Sequence, residues 1–230
     1  MKTIGLIGGM SWESSIEYYR IINQTVKNKL GDLHSAKSLM YSVDFAEIEI
    51  LQHDGCWEEA TRMMVDAAQR VERGGADFLV ICTNTMHKMA DVVQQKINIP
   101  ILHIADATAE VVMSQGLRKI GLLGTRFTME EDFYKGRLEK KYGLQVIIPD
   151  VEDRTIVHRV IYEELVLGKI NLDSKSDYQR IIQSLAKEGA QGVILGCTEI
   201  GLLVKEADSP VPLFDTTQIH AMAAVEYALA

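Results

Sequence analysis

The chain has 230 residues, enough for one large or two small domains with a proper core. Apolar residues make up 47% and charged residues 24%, an ordinary globular composition, and the net charge is −8 with no Lys/Arg cluster to interrupt it. That balance argues against a nucleic-acid partner and against an anionic membrane surface. No apolar run approaches the roughly 20 residues of a membrane helix, and the start, Met1 to Gly9, breaks at glycines before it reaches the length of a secretory signal. The expectation is a soluble cytoplasmic protein. Cys56, Cys82 and Cys197 are odd in number and widely spaced, which fits a reducing compartment and neither a disulfide framework nor a zinc site.

In chain order, strands are expected at Thr3–Gly8, Leu39–Val43, Phe78–Ile81, Ile101–Ile104, Ile120–Gly124, Val146–Ile148, Val193–Leu195 and Val211–Phe214. These runs are rich in Val, Ile and Leu without alternation, as in parallel strands covered on both faces. Amphipathic stretches such as Ser14–Lys29, Trp57–Arg73, Tyr134–Tyr142 and Ser176–Glu188 lie between them, and Gly31, Gly74 and Gly189 stand where helices stop. The class is α/β with parallel sheets.

The chain repeats itself. Ile4-Gly5-Leu6-Ile7-Gly8 lines up with Ile120-Gly121-Leu122-Leu123-Gly124, Gly75-Ala76 with Gly189-Ala190, and Pro100-Ile101 with Pro210-Val211. Landmarks in the same order point to a duplicated unit of about 110 residues. Eight strands in two halves allow either one eight-stranded barrel or two similar domains related by a pseudo-twofold. Both architectures carry functional loops at strand C-terminal ends.

The repeat pairs Thr83-Asn84-Thr85 with Cys197-Thr198-Glu199, each directly after an apolar strand. In the two-domain case such loops face each other across a cleft. Inverting a stereocentre by proton transfer needs a base on one face and an acid on the other. A thiol suits this work, because its ordinary pKa lets modest shifts interconvert thiol and thiolate. Most single cysteines, by contrast, are simply packed.

Gly196-Cys197-Thr198-Glu199-Ile200 resembles the second signature of the aspartate/glutamate racemase family, and Thr83-Asn84-Thr85-Met86-His87 resembles the first, which reads Cys-Asn-Thr. Gly8-Gly9-Met10-Ser11 and Ser42-Val43-Asp44-Phe45 also match, so the resemblance spans nearly the whole chain. It implies two similar Rossmann-like domains with a site at their interface, here 1–105 plus 212–230 and 106–211. It also implies no pyridoxal phosphate, no metal and a homodimer. The implied activity is racemisation of aspartate or glutamate, with Cys197 as base for the L substrate.

One departure matters. Thr83 stands where the family has its first cysteine, and Cys82 lies one residue earlier. Side chains alternate along a strand, so a one-residue shift turns Cys82 away unless a bulge intervenes. Thr83 is therefore expected as the opposite-face proton partner. An alcohol is a far weaker acid than a thiol, which predicts that L substrates are processed better than D.

Substrate contacts are expected from Met10 in the glycine-rich turn, from Thr125 in its repeat partner, and from Asn84, Thr85, Thr198 and Glu199 around the signatures. Gln52 enters by resemblance only. The same turn also reads as a tight strand-to-helix connection. His87 adjoins the first motif. Arg126 and Lys88 are the basic residues nearest the motifs, and Ile48 and Glu164 stand where a basic side-chain reader would be sought. Asp54 and the run Glu130-Glu131-Asp132 read as helix starts. Two rival functions keep the same cleft: a single-cysteine decarboxylase of a malonate-type acid, and a non-catalytic amino-acid-binding protein.

Overall fold

The computed structural model describes residues 1–230. The chain forms two compact units, Met1–Ile104 with His220–Ala230, and Ala105–Ile219.

The first unit runs β1 (Ile4–Gly8), α1 (Trp12–Leu30), β2 (Ser38–Ser42), α2 (Phe45–His53), α3 (Trp57–Arg73), β3 (Phe78–Ile81), a 3₁₀ turn over Thr85–Met89, α4 (Ala90–Gln94) and β4 (Ile101–Leu102). Helix α5 (Ile104–Ser114) begins at the end of this unit. The second runs β5 (Lys119–Gly124), α6 (Arg126–Glu130), α7 (Lys135–Tyr142), β6 (Gln145–Ile147), α8 (Val151–Glu163), α9 (Leu172–Lys187), β7 (Val193–Gly196), α10 (Ile200–Leu203) and β8 (Leu213–Asp215). Helix α11 (Thr216–Leu229) carries the chain back to the first unit at His220.

Each unit holds a four-stranded parallel sheet, in the order β2-β1-β3-β4 and β6-β5-β7-β8. The orders are the same once the duplication is applied. They replace the barrel alternative: β1 is flanked by β2 and β3, so it is internal and cannot close on the eighth strand. The sequence reading returns the chain to the first unit at 212. In the structure β8 is hydrogen-bonded to β7 and belongs to the second unit, which continues to Ile219. β8 also starts later than its apolar run, at Leu213, because Pro210 and Pro212 lack the N–H a ladder needs.

The central strands of the first sheet, β1 and β3, are buried on both faces, as their unbroken apolar runs require. Ile4, Leu6, Phe78 and Val80 pack with Tyr18, Ile22 and Val26 of α1 and with Ala221, Ala224, Val225 and Ala228 of α11. Ile7, Leu79 and Ile81 turn the other way, against Ala60, Met64, Ala67 and Val71 of α3. Those four recur at helical spacing, and each large side chain so buried contributes about 1.5–3 kcal/mol. Gly31 and Gly74 cap α1 and α3, as expected of helix stops.

The acidic run 130–132 does not start a helix. Glu130 ends α6 and pairs with Arg154 at 2.8 Å, and Asp132 pairs with Lys140 at 2.7 Å. Asp54 likewise closes α2 instead of opening α3. In both places an ion pair or a C-cap outweighs the weak pull of a helix N-terminus on an acid.

Candidate active site

The strand ends of the first unit gather one half of the candidate residues. The Cys82 N–H donates to the Ile7 carbonyl at 2.9 Å, so the exits of β3 and β1 stay side by side. The Cys82 side chain continues the Phe78–Val80 face into the apolar core, fully buried, and burial pushes its thiol far above the ordinary range. Thr83, one residue on, is only half-buried. Its carbonyl accepts from His87 Nδ1 at 2.8 Å, while His87 Nε2 accepts from the Ile104 N–H at 3.2 Å. One neutral tautomer satisfies both bonds, and the ring fixes the backbone at Thr83. His87 thus supports the motif from behind.

Asn84 and Thr85 are buried in the turn that follows. Helix α2 reaches this turn through Gln52, whose Nε2 lies 3.0 Å from Met86 Sδ. Met10, Ile48 and Met86 share one core cluster behind it. Ile48 is fully buried there and reads no polar side chain. In the glycine-rich turn the Gly9 N–H donates to Ser15 Oγ at 2.8 Å, and Ser15 Oγ donates to the Ser11 carbonyl at 2.9 Å. The Gly9 amide is therefore engaged by the protein itself. Glycine is required at this position: its φ is +94°, and a Cβ would strike the Val43 carbonyl oxygen.

The second unit gathers the other half. β5 and β7 bring Gly124 opposite Gly196, and a Cβ on Gly124 would come within 2.8 Å of the Gly196 carbonyl oxygen. The two glycines let the exits of these strands approach, so the Thr125 turn starts beside the Cys197 loop. Thr125 is buried as the N-cap of α6, its Oγ1 accepting from the Thr128 N–H at 3.3 Å.

Cys197 Sγ donates to Glu199 Oε2 at 3.0 Å, and Thr198 Oγ1 donates to the same oxygen at 2.8 Å. All three residues are buried, Glu199 to 2% exposure. Burial, then the negative charge of Glu199 and the hydrogen bond to it, push the Cys197 thiol well above its ordinary value. The backbone N–H groups of Glu199 and Thr198 pull the other way. Tyr178, on α9, donates its hydroxyl to the Val157 carbonyl at 3.0 Å; burial and then the Cys197 charge raise it in turn.

Two residues absent from the sequence reading fix this loop. Thr216 Oγ1 donates to the Leu195 carbonyl at 2.8 Å and Thr217 Oγ1 to the Thr198 carbonyl at 3.4 Å. A pair of threonines directly after β8, at the edge where ligands bind in parallel sheets, was the signal available. The basic candidates fare differently. Lys88 lies over the Trp57 ring at 3.8 Å, and Arg126 is exposed with its N–H on His158 Nδ1 at 3.2 Å. Glu164 ends up capping α8, with Ser174 Oγ donating to its Oε1 at 2.9 Å.

A family model described as Asp/Glu/hydantoin racemase matches residues 7–224. The chain belongs to that family. The broad-specificity amino-acid racemase RacX of Bacillus subtilis is 24% identical over 99% of this chain and 98% of its own. A crystal structure from Yersinia pestis, of a protein assigned to the Asp/Glu racemases, is 57% identical and superposes with a TM-score of 0.93, covering both chains completely. An aspartate racemase homologue from Pyrococcus horikoshii is 38% identical over the full length of both chains, with a TM-score of 0.86. Membership places this protein among the racemases, which are isomerases. No helix is long and apolar enough to cross a membrane.

Proposed function

We propose that this protein racemises aspartate or glutamate without pyridoxal phosphate, by two-sided proton transfer at Cα. Cys197 takes the proton from the L enantiomer. The Thr83 hydroxyl delivers a proton to the opposite face and is reprotonated from solvent. The observation that carries this reading is the Cys197 sulfur at the exit of β7, held by a carboxylate and two backbone N–H groups, matched at the exit of β3 by a half-buried hydroxyl. A sulfur so raised forms thiolate more readily as pH rises, so turnover should increase into the alkaline range.

Asn84, Thr85, Thr125 and Thr198 offer amide and hydroxyl groups for the α-carboxylate and α-amine; Met10 and Gln52 wall the first loop. The preference for L has a thermodynamic limit. Enantiomers have equal free energy, so kcat/KM must be the same in both directions. The weak acidity of Thr83 therefore shows in kcat, with KM changing in parallel, and not in their ratio.

The test is incubation with L-aspartate and L-glutamate in D₂O. Two-sided transfer labels the D product at Cα before label enters the L pool. Equal early labelling of both enantiomers would mean a single exchanging base and would remove Thr83 from the chemistry. Affinity without any exchange would mean a binding protein, and CO₂ release from a malonate-type acid a decarboxylase. We place the reaction in the cytoplasm, where the three free cysteines stay reduced. We also assign a homodimer, supported by the exposed apolar row Trp12, Ile16 and Tyr19 along α1 and checked by sedimentation equilibrium.

A further inference from the structure

The Cys197 loop contains opposing instructions. The backbone N–H groups of Thr198 and Glu199 point their partial positive charge at the sulfur and favour a thiolate. The Glu199 carboxylate, 3.0 Å away and receiving the S–H proton, favours the thiol. Thr198 Oγ1 donates to the same Oε2 and so aims that oxygen at the sulfur. The loop itself is pinned by Thr216 and Thr217. No cation is among the groups that act directly on the sulfur. Tyr178, from α9, is a buried phenol, with Glu164 and Arg159 acting on it in opposite senses.

We propose that Glu199 is a restraint on Cys197: it keeps the sulfur protonated while no substrate is present, and it yields when the α-ammonium group of the amino acid docks against its carboxylate. This rests on the racemase reading and adds a trigger to it. The charge balance is simple. The ammonium brings one positive charge to the loop, and the thiol proton leaves to solvent water, so the net charge is unchanged. The S–H bond breaks with its electron pair kept on sulfur. The thiolate, now favoured by the two N–H groups alone, then takes the Cα proton: the C–H bond breaks, a new S–H bond forms, and the electron pair stays on carbon. Free thiolate, open to oxidation and alkylation, is avoided between turnovers. Glu199 is thus a positioning residue for the sulfur and a contact for the ammonium.

The test uses the full chain carrying Cys56→Ser, which removes the exposed thiol; Cys82 has no exposed surface, whereas Cys197 keeps 9%. Alkylation of Cys197 by iodoacetamide is followed across pH in the absence of amino acid, by mass spectrometry. Glu199→Gln should move the profile to lower pH and speed alkylation at neutral pH by about tenfold or more, the effect of one pKa unit. Glu199→Asp, which keeps the charge, should restore much of the protection. In the same Glu199→Gln protein, L-aspartate racemisation should fall about 100-fold, mostly through KM. Faster alkylation with slower turnover is the signature, because a residue that activates the thiol, or merely holds the loop, would lower both. Unchanged or slower alkylation in Glu199→Gln overturns the restraint, and faster turnover overturns the ammonium contact. If alkylation speeds up but the Cys56→Ser protein exchanges no amino-acid Cα proton, the racemase reading fails and the restraint survives without its trigger. The two failures are thereby separable.

Discussion

The two halves of this chain share one sheet order and differ at one chemical point. After β3 the sequence continues Thr83-Asn84-Thr85; after β7 it continues Cys197-Thr198-Glu199. The first loop is held by a neutral imidazole, His87, which binds backbone and leaves the Thr83 hydroxyl to itself. The second is held by a carboxylate that bonds the Cys197 sulfur directly. A hydroxyl needs no restraint, since it does not ionise near neutral pH; a thiol does. The fold supplies two equivalent positions, and the side chains make them unequal.

The sharpest way to break that comparison is Cys197→Ala. It should abolish deuterium exchange at Cα, a loss of about 10⁴-fold or more, at the upper end of what one acid–base group supplies. Exchange persisting within tenfold of the parent would place the base elsewhere. Thr83→Val should cost about 10²–10³-fold in racemisation, read by chiral chromatography. Its counterpart Thr83→Cys would make the halves chemically alike and should raise kcat from D-aspartate towards that from L. A Thr83→Val protein with full activity would leave the first half without a proton carrier.

Stability offers smaller effects. His220, fully buried in the first unit, donates from Nε2 to the Leu102 carbonyl at 2.8 Å and accepts at Nδ1 from the Tyr18 hydroxyl at 2.9 Å. Burial lowers its pKa from 6.5 to about 4. A histidine depressed in this way stabilises the fold fully above its unfolded value and loses that contribution as pH falls from about 6.5 towards 4. The loss amounts to about 3 kcal/mol. Urea unfolding of the parent should show it between neutral pH and pH 4, and His220→Gln should flatten the slope. The second unit has no such buried imidazole to follow, since His158 is half-buried. Smaller again, Gly9→Ala should cost about 1–3 kcal/mol through its left-handed backbone and the collision with Val43, with the melting temperature as the readout.

Much of this was legible in the residues. All eight strands overlap the apolar runs of the sequence, and the clearest are the central β1, β3, β5 and β7, where burial on both faces leaves almost no polar position to interrupt them. α3 spans Trp57–Arg73 as its helical spacing and Gly74 require. Cys197 and Thr83 could be singled out because the duplication aligns them. What could not be read were ends and partners. β8 was misplaced by two residues because prolines, not hydrophobicity, set its start. Glu130 reads locally as a helix start, but it ends α6 and its partner Arg154 lies 24 residues away, beyond any local pattern. Thr216 and Thr217 went unnoticed because their hydroxyls act on loops about 20 residues away in sequence.

The sequence alone determined the class of fold, the duplication and the inequality of a thiol and a hydroxyl at aligned positions, since each of these is a matter of periodicity or of residue type. Strand alternation already turned Cys82 away, as its place in the core bears out; only the tertiary structure decided that Glu199 turns its carboxylate onto the sulfur and that His87 holds the Thr83 backbone. Those facts depend on the direction in which a side chain leaves its strand end and on what the neighbouring elements place there. Directions of that kind are fixed by packing and hydrogen bonding among distant segments, which no local pattern encodes.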